Sequence, residues 1–247
     1  MSRTYDSDLI QAAFDSIRVL QSQAVFPLSV MPHLALLLTG KKQVARFVLD
    51  SDVISKLCHS LASHGFASVR NPVAVQPHGN DWSQFEPTEA STSSSAHEMV
   101  VLGRDLSLVR RVADLELNGE GWEVGRLLEY PDCCIEGYHE LSQATSGWPE
   151  VMMQRSDDPF RINAWCNRFA SLWGGVCPTG ELFPCSLNCN KAVELGKDGD
   201  AALRELGLDG IADEILRQSK IDIYWYNGEV VCGEPLDSVV QKFTIRD

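Results

Sequence analysis

Two short segments constrain this chain more than any other feature. They are Tyr130-Pro131-Asp132-Cys133-Cys134 and Phe183-Pro184-Cys185-Ser186-Leu187-Asn188-Cys189. In each, cysteine follows closely on a proline, a residue suited to the first turn of a helix. A helix start offers unpaired N–H groups and the positive end of the helix dipole, and both favour thiolate over thiol. On a helix, the four-residue spacing of Cys185 and Cys189 would put them on one face. Adjacent Cys133 and Cys134 are poor partners for a disulfide. Neighbouring Cα atoms stand ~3.8 Å apart across a trans peptide, under the usual bridging range of about 4.4–6.8 Å.

Composition narrows what those thiols are for. The chain has 247 residues, enough to bury a core without disulfides, and eight cysteines. Its start, Met1 to Asp6, is polar and then acidic, with no readable signal peptide. The best apolar run, Phe26 to Leu38, is interrupted by prolines and His33 and is too short to span a bilayer. The expected location is therefore the cytoplasm, with no membrane association, where thiols stay reduced and cysteines call for a role other than disulfides. A net charge of −13 repels phosphate backbones, so general nucleic-acid binding is not expected.

The hydropathy pattern reads as α+β: mostly helical, with a small sheet that includes a C-terminal β-hairpin. Helical spacing runs over residues 6–22, and a helix opens at Ser51-Asp52 and closes at Gly65. Residues 66–75 and 99–102 read as strands. Asp105 caps a helix reaching Leu117, and shorter helices follow from Trp122 and from Tyr130-Pro131-Asp132. Asp158-Pro159 is expected to open a helix carrying Trp165, Phe169, Leu172 and Trp173 on one side. Pro184 is expected to open another, running through Val193 to Gly196, and residues 200–218 read as helical. Asn227-Gly228 between two apolar runs is a strong hairpin signal. Residues 76–97 are polar, rich in Ser and Thr and aperiodic, and read as a flexible insertion in a single domain spanning 1–247. The cysteine-bearing region is about 98–196.

The four cysteines Cys133, Cys134, Cys185 and Cys189 read as one metal-binding thiolate cluster. A multi-iron cluster can take adjacent thiolates at different corners, which favours an iron–sulfur centre of the 4Fe-4S kind over a single tetrahedral zinc, the alternative cofactor. Three protein ligands would leave an open iron suited to sulfur transfer or another small-molecule reaction. Four would suggest electron transfer or a structural role. A zinc-stabilised binding module and a metal-free thiol protein, with Cys133 or Cys134 as nucleophile and Cys185 as resolving partner, are the competing readings. The paired Cys-x2-Cys pattern of common zinc sites is missing, as are the ferredoxin spacings. Cys58, Cys166 and Cys232 sit in apolar-periodic stretches and read as core residues. Cys177, in the loop Gly174-Gly175-Val176-Cys177-Pro178, is open between ligand, resolving thiol and neither.

Other candidates are weaker. Glu136 and His139 form a Glu-x-x-His pair, but no second copy exists for a di-iron site. His139 is left as a catalytic candidate, a proton carrier beside the thiolates. His33, His59, His64, His78 and His97 are possible bases for a cysteine nucleophile, and nothing in the sequence selects one. The glycines at 174, 175 and 180 lack the Lys-Ser/Thr ending of a phosphate loop. Substrate, partner protein and enzymatic status are not legible.

The stretch Gly125-Arg126-Leu127-Leu128-Glu129-Tyr130-Pro131-Asp132-Cys133-Cys134, followed by Pro184-Cys185 and Cys189, resembles the uncharacterised DUF483-like family. That family's pattern is Gly-x-Leu-Leu-Gly-Tyr-Pro-x-Cys-Cys and then Pro-Cys-x-x-x-Cys. The resemblance covers roughly residues 98–196 and implies that the two cysteine segments act as one unit. It departs at Glu129, where the pattern has glycine, and this puts the turn before Pro131 in question.

Overall fold

The computed structural model describes residues 28–78, 81–88, 97–143, 148–173, 176–226, 229–232 and 241–246. The chain divides into two compact units, Met1–Glu129 and Tyr130–Asp247, where the sequence reading has one domain. The helix expected over residues 6–22 lies outside the described residues. The fold is α+β, with helix outweighing strand.

In the N-terminal unit, α1 (Met31–Leu38) leads to β1 (Val44–Asp50), α2 (Ser51–Ala62), β2 (Ala67–His78), β3 (Asp81–Thr88), β4 (His97–Gly103), α3 (Leu106–Leu117) and α4 (Gly121–Leu127). The four strands form an antiparallel sheet in the order β1-β4-β2-β3. β4 sits inside it, with Val100 paired to both Phe47 and Arg70. Val53, Ile54, Leu57 and Leu61 recur at helical spacing along α2 and are all buried. The Asp105 side chain accepts from the N–H groups of Ser107 and Leu108, the cap that its position predicted. β3 occupies part of the stretch read as a flexible insertion. Its register with β2 runs Ala74↔Thr88 to Pro77↔Phe85, so backbone pairing overrides a sequence without clean alternation. Residues 79–80 and 89–96 of that stretch lie outside the described residues.

The C-terminal unit has helices of similar length but shorter strands: α5 (Asp132–Gln143), α6 (Trp148–Gln154), β5 (Arg161–Asn163), two 3-10 turns (Ala164–Cys166 and Arg168–Trp173), α7 (Asn190–Glu205), α8 (Asp209–Ser219), β6 (Ile223–Tyr226), β7 (Glu229–Cys232), β8 (Gln241–Lys242) and β9 (Thr244–Arg246). β6 and β7 pair antiparallel as the expected C-terminal hairpin, with β8 on the other side of β6. β5 pairs parallel with β9. One core gathers Met152, Ile162, Phe169, Phe183, Leu187, Ile223 and Phe243, with the Phe169 and Phe243 rings edge to face at 5.4 Å.

Two helical expectations fail here, for local reasons. No helix opens at Asp158-Pro159. The Asp158 carboxylate accepts from the Phe160 N–H, and the Asn163 side chain accepts from the Trp165 N–H. Such local side-chain bonds compete with helix formation, and the strand Arg161–Asn163 and the 3-10 turns replace it. Nor does a helix open at Pro184, because α7 begins only at Asn190. The Leu187 backbone is engaged elsewhere: its N–H donates to Ser156 Oγ at 2.9 Å, and its carbonyl accepts from the Asn163 N–H at 3.1 Å. The residues read as one helix over 200–218 are the end of α7 and the whole of α8 but its last residue, separated at Gly207, whose φ is +70°.

Candidate metal centre

Each cysteine segment is positioned by a different kind of structure. Pro131 precedes the first turn of α5, and its carbonyl accepts from the N–H groups of Cys134 and Ile135 at 2.8 and 3.0 Å. Cys133 and Cys134 therefore leave the first turn of that helix. Cys189 is the N-cap residue of α7, and its carbonyl accepts from the Val193 N–H at 2.9 Å. Cys185 lies on the loop before it. The two share no helix face, contrary to the spacing argument; a turn closed by Ser186 and Cys189 brings them together instead. The loop is tied down further by Asn188 Nδ2, which donates to the Arg161 carbonyl at 2.7 Å.

The four sulfurs converge. Cys133 Sγ lies 4.0 Å from Cys134 Sγ and 3.8 Å from Cys189 Sγ, and Cys134 and Cys189 are 3.6 Å apart. With Cys185 included, all four lie within 4.8 Å of one another. Such a group can hold a metal ion. Cys134 and Cys189 are buried, whereas Cys133 and Cys185 are half-buried. Around them pack Cys166, Leu182, Ala192 and Val193, with Tyr130 and Trp165 at the margin.

Close approach depends on two glycines. A Cβ at Gly137 would stand 2.8 Å from Cys185 Cβ and 3.1 Å from its Cα, so α5 meets the cysteine loop where only hydrogen fits. A Cβ at Gly196 would stand 2.2 Å from the Trp165 carbonyl oxygen, which lets α7 seat on the first 3-10 turn.

The electrostatics of the thiols are shared rather than individual. Cys134 is pushed far above the usual thiol range, first because its proton is held in hydrogen bonds with Cys185 and Cys189, then by burial. Cys189 is held well below that range, chiefly by the hydrogen bonds from Cys134 and Cys185, with the Ala192 N–H adding to them. For Cys185 the bond with Cys134 is the largest influence and acts downward. The bond with Cys189, burial and neighbouring sulfur charges outweigh it and raise the group to about 12. The lowered pKa expected of every helix-start cysteine thus applies to Cys189 alone of these three.

The remaining candidates separate from this group. Glu136 and His139 are exposed on α5, and His139 is not among the converging ligands. His33, His59 and His64 belong to the N-terminal unit, where His33 Nδ1 lies 3.1 Å from Lys42 Nζ and both side chains are buried. The side chains of His78, His97 and Cys232 lie outside the described residues. Cys58 is half-buried on α2. Cys177 is buried 3.0 Å from Thr179 Oγ1 and stands outside the four-sulfur group. Its thiol is raised by burial against the opposing charge of Arg168.

Cys166 is the neighbour that sequence reasoning placed simply in the core. It is fully buried in the sulfur-rich cluster, and its thiol donates to the Leu187 carbonyl at 3.5 Å. Burial raises its pKa first, then the charges of Cys177, Cys189 and Cys185. Its helical-looking surroundings carried no signal of this, because the stretch is a 3-10 turn.

No helix among the described residues is long and apolar enough to cross a membrane. Residues 95–206 match a family model described as "Protein of unknown function (DUF483)". No curated protein and no solved structure matches the chain.

Proposed function

We propose that this chain, a DUF483-like protein over residues 95–206, holds one metal ion on Cys133, Cys134, Cys185 and Cys189. The observation that carries this reading is the sulfur spacing. Four ligands at a Zn–S distance of about 2.3 Å stand ~3.8 Å apart along the edges of a tetrahedron. The three separations around Cys189 and the Cys133-Cys134 pair are 3.6, 3.8 and 4.0 Å. Adjacent cysteines are no obstacle at the start of α5, since both sulfurs reach Cys189. In a multi-iron cluster each sulfur points outward from its own iron, which spreads the sulfurs further than these distances.

Zinc is the ion we assign. Four thiolates give it a closed site, and closed sites are structural rather than catalytic. The ion would join the start of α5 to the loop and N-cap of α7, stabilising a unit whose strands are only two to four residues long. A reducing compartment such as the cytoplasm suits such a site. The iron–sulfur reading, with sulfur transfer or electron transfer as its activity, is favoured by one feature: the largely apolar, half-buried setting of the thiolates.

Elemental analysis of protein purified without oxygen, repeated after iron, sulfide and zinc reconstitution, decides between them. The expected result is a colourless protein with one zinc per chain, lost on Cys134→Ser or Cys189→Ser. A brown protein with several irons and acid-labile sulfide overturns zinc. Absence of any bound metal after reconstitution overturns the centre itself.

A further inference from the structure

The four sulfurs are alike in chemistry but not in access or in partners. Cys133 is half-buried at the rim, while Cys189 is buried. Their sulfurs are 3.8 Å apart and come from positions 56 residues apart in the chain. Cys134 is nearly as close to Cys133, at 4.0 Å, but is its neighbour on a helix, where a disulfide is geometrically disfavoured. Cys58, the half-buried cysteine of the N-terminal unit, has no place in the sulfur group.

We propose that Cys133 and Cys189 form a reversible peroxide-oxidation site whose reaction expels the metal ion. The inference rests on the metal-centre reading above and adds to it a modification and a consequence. The Cys133 thiolate attacks one oxygen of hydrogen peroxide and the O–O bond breaks. The departing hydroxide takes up a proton and leaves as water, and Cys133 becomes a sulfenic acid. The Cys189 thiolate then attacks the Cys133 sulfur, the S–O bond breaks, and a second hydroxide leaves as water on protonation. The two sulfurs supply the two electrons, and peroxide is fully reduced. The ion loses two of its four thiolates and dissociates. The new disulfide joins the start of α5 to the N-cap of α7, the elements the ion had joined, so oxidation removes metal while keeping that connection. Cys185 is left as a free thiol, on a loop still held through Leu187 and Asn188.

The test treats zinc-loaded full-length protein with stepwise hydrogen peroxide in the presence of a chromogenic zinc chelator, followed by peptide mass spectrometry. The expected result is one zinc released per disulfide formed, a Cys133–Cys189 cross-linked peptide, and recovery of zinc binding after dithiol reduction. Cys58→Ser should release zinc as the parent does. Zinc retained while Cys58 is oxidised overturns the proposal. So does a cross-link between any other pair, or release accompanied by irreversible sulfinic acid at Cys133. Protein that never loads zinc overturns the metal centre and this proposal together; loaded protein that keeps its zinc overturns only this one.

Discussion

The two units of this chain solve the problem of stability differently. In the N-terminal unit a four-stranded sheet is covered by helices, and Val44, Phe47, Ile54, Leu57, Val100 and Leu102 are almost wholly buried. Area removed from water does the stabilising there. In the C-terminal unit the strands are two to four residues long, and the sulfur group sits among loop and 3-10 turn. Every buried cysteine among the described residues, Cys134, Cys166, Cys177 and Cys189, belongs to this unit. Strands this short fix little backbone by themselves, so a centre that joins α5 to α7 would stabilise a junction made of loop and 3-10 turn rather than of sheet.

The strongest way to break this contrast is to remove the metal. Structural zinc contributes about 10–16 kcal/mol of apparent binding free energy, much of which is folding free energy. Chelation of the full-length protein is expected to lower protection of amides around α5 and the start of α7 by roughly 4 kcal/mol or more, read by hydrogen exchange. The sheet amides of β1 and β4 should keep their protection. Uniform loss across both units would remove the distinction, and no loss would show that the sulfurs are packing residues. The converse perturbation is Leu57→Ala, which empties a fully buried position of α2. It should cost ~3 kcal/mol in the N-terminal unit by denaturant unfolding, with metal content unchanged.

A smaller effect tests how tightly the centre is framed. Gly137→Ala would bring a methyl to 2.8 Å from Cys185 Cβ, against the backbone of a loop tied by hydrogen bonds through Leu187 and Asn188. The loop must shift, at a cost of about 1–3 kcal/mol. Zinc affinity, measured by chelator competition, should fall on the order of tenfold as the Cys185 sulfur moves, in line with losses seen on disturbing groups around metal ligands. Unchanged affinity would make Cys185 the dispensable member of the four.

How far the sequence was legible follows the same division. The Asp105 cap, the α2 periodicity and the Asn-Gly hairpin are local signals, and each element formed where its local chemistry placed it. The convergence of Cys133, Cys134, Cys185 and Cys189 was legible too, since prolines and spacing tied the cysteines into two segments. The manner of convergence was not. Pro159 and Pro184 read as helix starts, but Asx-type bonds at Asp158 and Asn163 and long-range bonds to Leu187 took up the backbone groups that a helix needs. Cys166 is the core residue that its apolar surroundings predict, but its place beside the sulfur group was hidden for the same reason. β3 escaped because strand pairing depends on a partner distant in sequence more than on the strand's own residues.

The finest test sits at the last residue of the N-terminal unit. Glu129 has φ +58°, the one left-handed non-glycine among the described residues, at the position where the DUF483-like pattern that the stretch resembles has glycine. A side chain there costs roughly 1–2 kcal/mol relative to glycine's freedom. The structure offsets part of this, because Glu129 Oε1 accepts from the Gln43 N–H at 3.1 Å, an exposed bond worth ~0.5 kcal/mol. Glu129→Gly relieves the strain but loses the bond, and glycine's extra freedom in the unfolded chain subtracts further. The balance is a small net change centred on a gain of about 0.3 kcal/mol in denaturant unfolding. Glu129→Ala keeps the strain and loses the bond, and should cost about 0.5 kcal/mol. The sign difference between the two variants isolates the backbone conformation. If both substitutions shift stability equally, the hydrogen bond alone matters and the turn before Pro131 does not need glycine.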